Sequence, residues 1–147
     1  MNFNIRKIRE TDRSEVISMM NDFYNSPAVS TNGSLSIFNS DIDCCVSNSP
    51  FLEGYIFETD SGVLGYSMIA KSFSTEFGKS CIWLEDLYLK PEYRGQGIIP
   101  KFLCYIEALY PNSILKLEVE KENTHAVHVY TKYGFKPLEY CEMKKDI

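Results

Sequence analysis

The sequence predicts an α/β (α+β) fold built on a mixed, mostly antiparallel sheet. Three observations carry this. Strand and helix signals run in the order β-α-α-β-β-β-α-β-α-β. Two apolar runs, "FLEGYIFET" and "VLGYSMIAKSFST", flank the turn "DSG", a hairpin signal. The second half carries a strand-helix-strand crossover, which makes part of the sheet parallel. At 147 residues the expectation is one domain, 1–147, large enough to bury a core without staples.

The elements follow in order. "FNIRKIRE" gives a short first strand, and Thr11 or Asp12 is placed to cap the helix "DRSEVISMMNDFY". Its stripe is Val16, Met19, Met20 and Phe23. "SPAVSTNGS" reads as loop and "LSIFNSDIDCCVSN" as a second helix. After the hairpin, "KSCIWLEDLYLK" is a strand, and "GIIPKFLCYIEALY" is a helix ended by Pro111. "SILKLEVE" alternates as a strand, "NTHAVHVYTKY" is a short helix stopped at Gly134, and "FKPLEYCEMKK" is strand material.

Composition excludes little. A hydrophobic fraction of 44% and a charged fraction of 24% are ordinary for a globular chain. The formal net charge of -5 argues against nucleic acid and anionic membrane as partners and would not repel a cationic small molecule; a surface charged for solubility explains the same number equally well. Five cysteines without a C-x-x-C pair, and only two histidines, spell out no metal site. Buried or half-buried free thiols in a reducing cytosol are expected, hence a cytoplasmic location. The N-terminus has no apolar signal core, and no apolar run approaches membrane-spanning length.

Two local features point to chemistry. "PEYRGQGIIP" places Arg94, Gly95 and Gly97 between a strand and a helix, where free N–H groups and glycine backbone suit a phosphate or pyrophosphate. The same Gly-x-Gly also serves as a plain tight turn. It is neither a P-loop nor a dinucleotide fingerprint, since neither Lys-Ser/Thr nor a third glycine follows. In the preceding strand the apolar phase of Ile82 and Leu84 slips to Leu87 and Leu89 across Glu85-Asp86. A one-residue slip reads as a β-bulge, which opens backbone groups to an extended ligand; the alternative is an acid facing solvent on a half-exposed sheet.

"LEDLYLKPEYRGQGI" followed by "VEKENTHAVHVYTKYGF" resembles the GNAT superfamily of acyl-CoA-dependent N-acetyltransferases, through Arg94, Gly97, Asn123, Ala126, Tyr130 and Gly134-Phe135. The "LED" strand is similar to that of the polyamine (diamine) N-acetyltransferases. The resemblance implies a GNAT-like sheet with helices on both faces, a splayed parallel strand pair and acetyl-CoA (coenzyme A) as cofactor. It implies that the backbone of Leu87, Tyr88 and Leu89 pairs with the pantetheine arm. Arg94, Gly95, Gln96, Gly97, Ile98 and Ile99 would surround the pyrophosphate, with Asn123 and Tyr130 at the thiol end. A homodimer is a further family expectation.

On this reading the chain acetylates a primary amine of a small molecule or peptide by direct attack. Glu85 is the candidate base, directly or through a water, Asp86 holds the cationic acceptor or a second water, and Tyr130 is the acid for the departing thiolate. Tyr133, His125 and His128 are expected to pack or face solvent. The chain departs from the family pattern at Ile99-Pro100, where a branched side chain must turn away from the phosphates and one N–H is missing. That departure motivates an alternative, a non-catalytic acyl-CoA-binding or regulatory module of the same fold.

Overall fold

The computed structural model describes residues 1–147. Five strands form one sheet in the order β1-β2-β3-β4-β5: Asn4–Lys7, Leu52–Thr59, Gly62–Ser74, Lys79–Leu89 and Ile114–Leu117. The first four pair antiparallel, and β4 and β5 run parallel. The helices are α1 (Arg13–Tyr24), α2 (Leu35–Val46), α3 (Ile98–Leu109) and α4 (Thr124–Lys132). None is long and apolar enough to cross a membrane.

The sheet carries a core on each face. On one, Phe57, Leu64, Ile69, Ile82, Leu84 and Leu89 pack with Ile98, Phe102, Leu103 and Ile106 of α3. The four α3 residues are at most 3% exposed, so at about 1.5–3 kcal/mol per buried side chain they anchor the start of α3 firmly. On the other face Ile56, Tyr66, Met68 and Tyr88 meet Val16, Met19 and Met20 of α1 and Phe38 and Ile42 of α2. Helices therefore cover both faces.

The β4 ladder explains the phase slip. Met68 pairs with Asp86 and Ile69 with Leu84, so Glu85 is the extra residue of a bulge. The bulge keeps Ile82, Leu84, Leu87 and Leu89 on the α3 side and turns Asp86 and Tyr88 to the other. The parallel ladder with β5 runs from Cys81↔Ile114 to Leu84↔Leu117 and stops there. Beyond the bulge β4 continues against β3 alone, and the two parallel strands splay.

Four expectations are corrected. "FKPLEYCEMKK" forms no strand: residues 135–147 make no ladder, and Leu138, Tyr140 and Met143 are exposed. The strand pattern is present, but no sheet edge is paired with it. β5 ends at Leu117 rather than running through Glu120, because its partner bends away at Glu85. Asp12 does not cap α1 with its side chain: its carboxylate accepts from Arg6 at 2.7 and 2.9 Å and from the Arg9 N–H at 2.7 Å, closing a 3-10 turn before the helix. Charge-assisted bonds to a guanidinium outcompete a neutral cap. Finally, Cys104 and Cys141 are exposed, unlike the buried Cys81 and the half-buried Cys44 and Cys45.

Candidate active site

The loop between β4 and α3 is shaped by its two glycines. Gly95 (φ 73°) and Gly97 (φ 79°) both adopt left-handed backbone, and a Cβ on either would meet nothing within 4 Å. Only glycine takes this conformation without strain, and the space beside it is open. Gly97 is the N-cap of α3. The backbone N–H groups of residues 95 to 99 have no partner in the protein, while the Lys101 N–H bonds the Gly97 carbonyl and Pro100 has none to give. Five successive free amides at the start of a 12-residue helix form a concave run of partial positive charge.

Neighbouring side chains brace this run. Arg94 donates from Nε to the Leu89 carbonyl at 3.0 Å, and its guanidinium stands 5.9 Å from the Tyr88 ring centre. The arginine is exposed, with its terminal nitrogens unpaired. Gln96 reaches back to the Glu92 carbonyl at 2.9 Å. Ile98 is buried and Ile99 packs against the α3 core, so both side chains leave the loop free. The residues present fit a diphosphate: donors, one guanidinium and no side chain in the way.

The splayed strands open into a cleft of about 1450 Å³. Glu85, Asp86, Glu118, Tyr130 and Glu142 line it, with Ala28 to Thr31 of the loop after α1 forming another wall. Glu85 is exposed at the bulge. Partial enclosure in the cleft, then the charges of Asp86, Glu142 and Asp41, push its carboxyl up from the ordinary range. Glu118 is pushed up to about 7 by burial, by a hydrogen bond to Glu142 and by the charges of Glu142 and Glu85.

Asp86 sits differently from Glu85. It is 3% exposed, and both its oxygens are taken: Tyr24 donates at 2.9 Å and Tyr66 at 2.8 Å. The Ser67 hydroxyl donates to its backbone carbonyl at 2.7 Å. Burial pushes the Asp86 carboxyl up, and the two tyrosine bonds oppose this.

Tyr130, on α4, stands with its ring 5.6 Å from Phe135, edge to face, and its phenol has no hydrogen-bond partner. Burial pushes that phenol up, which keeps it protonated and able to donate. Asn123 caps α4, its side-chain oxygen accepting the Ala126 N–H at 3.2 Å, so half of its amide is committed to the helix. His125 and His128 are exposed, and Tyr133 is 39% exposed on the cleft rim. The structure thus brings together Glu85, Asp86 and Tyr130 around one cleft, with Leu87 to Leu89 leading from it to the amide run.

Tyr24, Glu118 and Glu142 were not expected at the site. Tyr24 read as the end of an apolar helix, and the two glutamates lie in stretches that differ from the strands expected there.

Comparison with known proteins places this geometry. The profile described as the acetyltransferase (GNAT) family matches residues 17–135. The chain belongs to the GNAT acetyltransferase family. Among named relatives, this GNAT chain is 39% identical over 83 residues to a thialysine N-epsilon-acetyltransferase of Bos taurus, which covers 54% of the chain and 48% of the relative. It therefore spans about half the length of that relative in the match. It is 29% identical to the Mus musculus protein of the same name over 94% of the chain and 86% of the relative. A spermine/spermidine N(1)-acetyltransferase of Bacillus subtilis (strain 168) is 21% identical over 92% and 88%.

Solved structures share the GNAT fold at lower identity. A possible acetyltransferase from Clostridium difficile 630 superposes with a TM-score of 0.84 at 17% identity, covering 100% of this chain and 99% of the other. An acetyltransferase from Clostridium acetobutylicum solved with acetyl-CoA superposes at 0.73 with 21% identity, covering 97% and 96%.

Proposed function

We propose that this chain transfers an acetyl group from acetyl-CoA to a primary amine of a cationic acceptor, a small polyamine-like molecule or a peptide amine. The observation that carries the reading is the run of five free amides opening onto a splayed, acid-lined cleft. Residues 95 to 99 and Arg94 would hold the pyrophosphate, and the open edge of Leu87 to Leu89 the pantetheine arm. Bound acetyl-CoA supplies an acyl group activated as a thioester.

The chain's own residues do the rest. An alkyl amine with a pKa near ~10 is about one part in a thousand neutral at pH 7, a cost of roughly 4 kcal/mol. Glu85, with its raised carboxyl, takes the proton directly or through water. An N–H of β4 near Leu87 would steady the negative oxygen at the carbonyl. Tyr130 gives its proton to the departing sulfur. The nitrogen–carbon bond would form as the carbon–sulfur bond breaks: the ammonium gives one proton to Glu85 before attack, Tyr130 protonates the departing thiolate, and the second nitrogen proton returns through water to the Tyr130 phenolate, leaving amide, free thiol and one proton that Glu85 releases to solvent. The acceptor preference rests on the acids of the cleft, Glu85, Glu118 and Glu142, and on the relatives named for thialysine and for spermine and spermidine.

The test is release of free thiol from acetyl-CoA with a panel of diamines, amino acids and peptides. Diamines or lysine-like amines raising release well above hydrolysis is the expected result. Release unaffected by every amine rejects the reading.

A further inference from the structure

Asp86 invites the reading of a second acceptor ligand, since it adjoins Glu85 and borders the cleft. Its geometry points elsewhere. Each oxygen of Asp86 already accepts from a phenol, at 2.9 and 2.8 Å, and burial keeps the remaining lone pairs from an acceptor in the cleft. The residue is 3% exposed. Three elements converge on it. Tyr24 is the last residue of α1, immediately before the loop that walls the cleft. Tyr66 and Ser67 belong to β3, and Ser67 fixes the Asp86 carbonyl as well. Asp86 is also the residue where the ladder resumes after the bulge, paired with Met68.

We propose that Asp86 is a positioning residue rather than an acceptor ligand: held by Tyr24, Tyr66 and Ser67, it fixes the bulge that turns Glu85 into the cleft and stands as a fixed negative charge beside it. Two consequences follow. Glu85 is kept at one orientation although it lies in an irregular stretch of strand. The loop after α1 and the bulge are tied to each other through the Tyr24 hydroxyl, so the acceptor wall and the base move together. The groups that face this pair are Tyr24 from α1, Asp41 from α2, Tyr66 and Ser67 from β3, Glu118 beyond β5 and Glu142 from the C-terminal segment. Lys116, Lys121 and Lys136 line the same cleft, but the charges that act on Glu85 are those of Asp86, Glu142 and Asp41. The negative charge of Asp86 therefore acts on Glu85 without an intervening counter-charge.

The proposal rests on Glu85 being the base, and its test has a readout that does not need turnover. The Glu85 side-chain carboxyl carbon is titrated by NMR in the native chain and in Asp86→Asn. Removing the neighbouring charge favours ionisation, so the midpoint falls by roughly 0.5–1 pH unit. A midpoint that does not move overturns the proposal, whatever the enzyme's activity. In steady-state assays Asp86→Asn lowers kcat about tenfold or more with the acceptor KM little changed, and shifts the acidic limb of kcat to lower pH. A raised acceptor KM with kcat and limb intact makes Asp86 a ligand and also overturns it. Should Asp86→Asn not fold, Tyr24→Phe serves in its place. Its loss of kcat disappears in a Glu85→Gln background if Tyr24 acts through Glu85. An equal loss in both backgrounds is the contrary result. Absence of amine-dependent thiol release in the native chain would count against the acetyltransferase reading alone, since the NMR titration still decides the role of Asp86.

Discussion

The amide run makes a sharp claim about Gly97. Replacing it with alanine has two separable effects. In the free protein the new Cβ meets nothing within 4 Å, so the cost is the backbone alone. Holding an L-residue at φ 79° costs about 1–2 kcal/mol. For a chain of 147 residues the unfolding entropy is roughly 0.3 kcal/mol per degree, so Tm falls by about 3–6 °C. The second effect appears only with ligand. The Cβ enters the space beside the free amides and displaces a diphosphate from one or more charge-assisted bonds, weakening CoA about 10–100-fold. At a ligand concentration of ~100 times Kd, native protein gains about 2.7 kcal/mol, or roughly 9 °C. With affinity lowered 100-fold the same concentration gives only about 1 °C. The assay is a thermal shift with and without CoA, and Gly78→Ala is the control. Gly78 is also left-handed (φ 62°) and open, but lies in the β3–β4 turn, so this variant should pay the strain and keep the full CoA shift. A full CoA shift in Gly97→Ala refutes the reasoning, as does a shift lost equally in both variants.

Three other outcomes follow from the same geometry. Pro100→Ala adds a sixth N–H to the start of α3 and tightens CoA about tenfold by calorimetry; unchanged affinity places the diphosphate short of that position. Tyr130→Phe lowers kcat about 100-fold while leaving acetyl-CoA affinity and Tm nearly unchanged, since the phenol bonds nothing in the protein; unaltered kcat removes it from the acid role. The Glu118 carboxyl is pushed up to about 7, so it loses its charge as pH falls through neutrality. The KM of a diamine should therefore rise as pH is lowered from 8 to 6, and Glu118→Gln should give a high KM with that pH dependence removed. A native KM that stays flat over this range excludes Glu118 from attracting the acceptor.

Much of this was legible along the chain because the relevant patterns are local. The slip from Ile82-Leu84 to Leu87-Leu89 revealed the bulge at Glu85, since strand phase is set by the ladder itself. "RGQG" marked a glycine turn before α3, and the structure puts both glycines in left-handed backbone, which glycine enters freely. Ile99 was expected to turn away from the phosphates, and it packs on the α3 core. What stayed hidden depends on distant residues. Nothing near Asp86 in sequence says that phenols 62 and 20 positions away will occupy its oxygens. Asp12 looked like a helix cap because the rival donor, Arg6, lies on a strand whose orientation the sequence does not display. The alternation in residues 135–147 has strand character, yet a strand exists only where an edge receives it.

The central claim is that the backbone at the start of α3 holds the diphosphate of the acyl donor. Proton–nitrogen correlation spectra recorded while CoA is added test it most directly. The amide signals of Gly95, Gln96, Gly97, Ile98 and Ile99 should move together and saturate with one affinity, while those of the β3–β4 turn stay still. Signals of these five residues that remain in place while others shift would contradict the account.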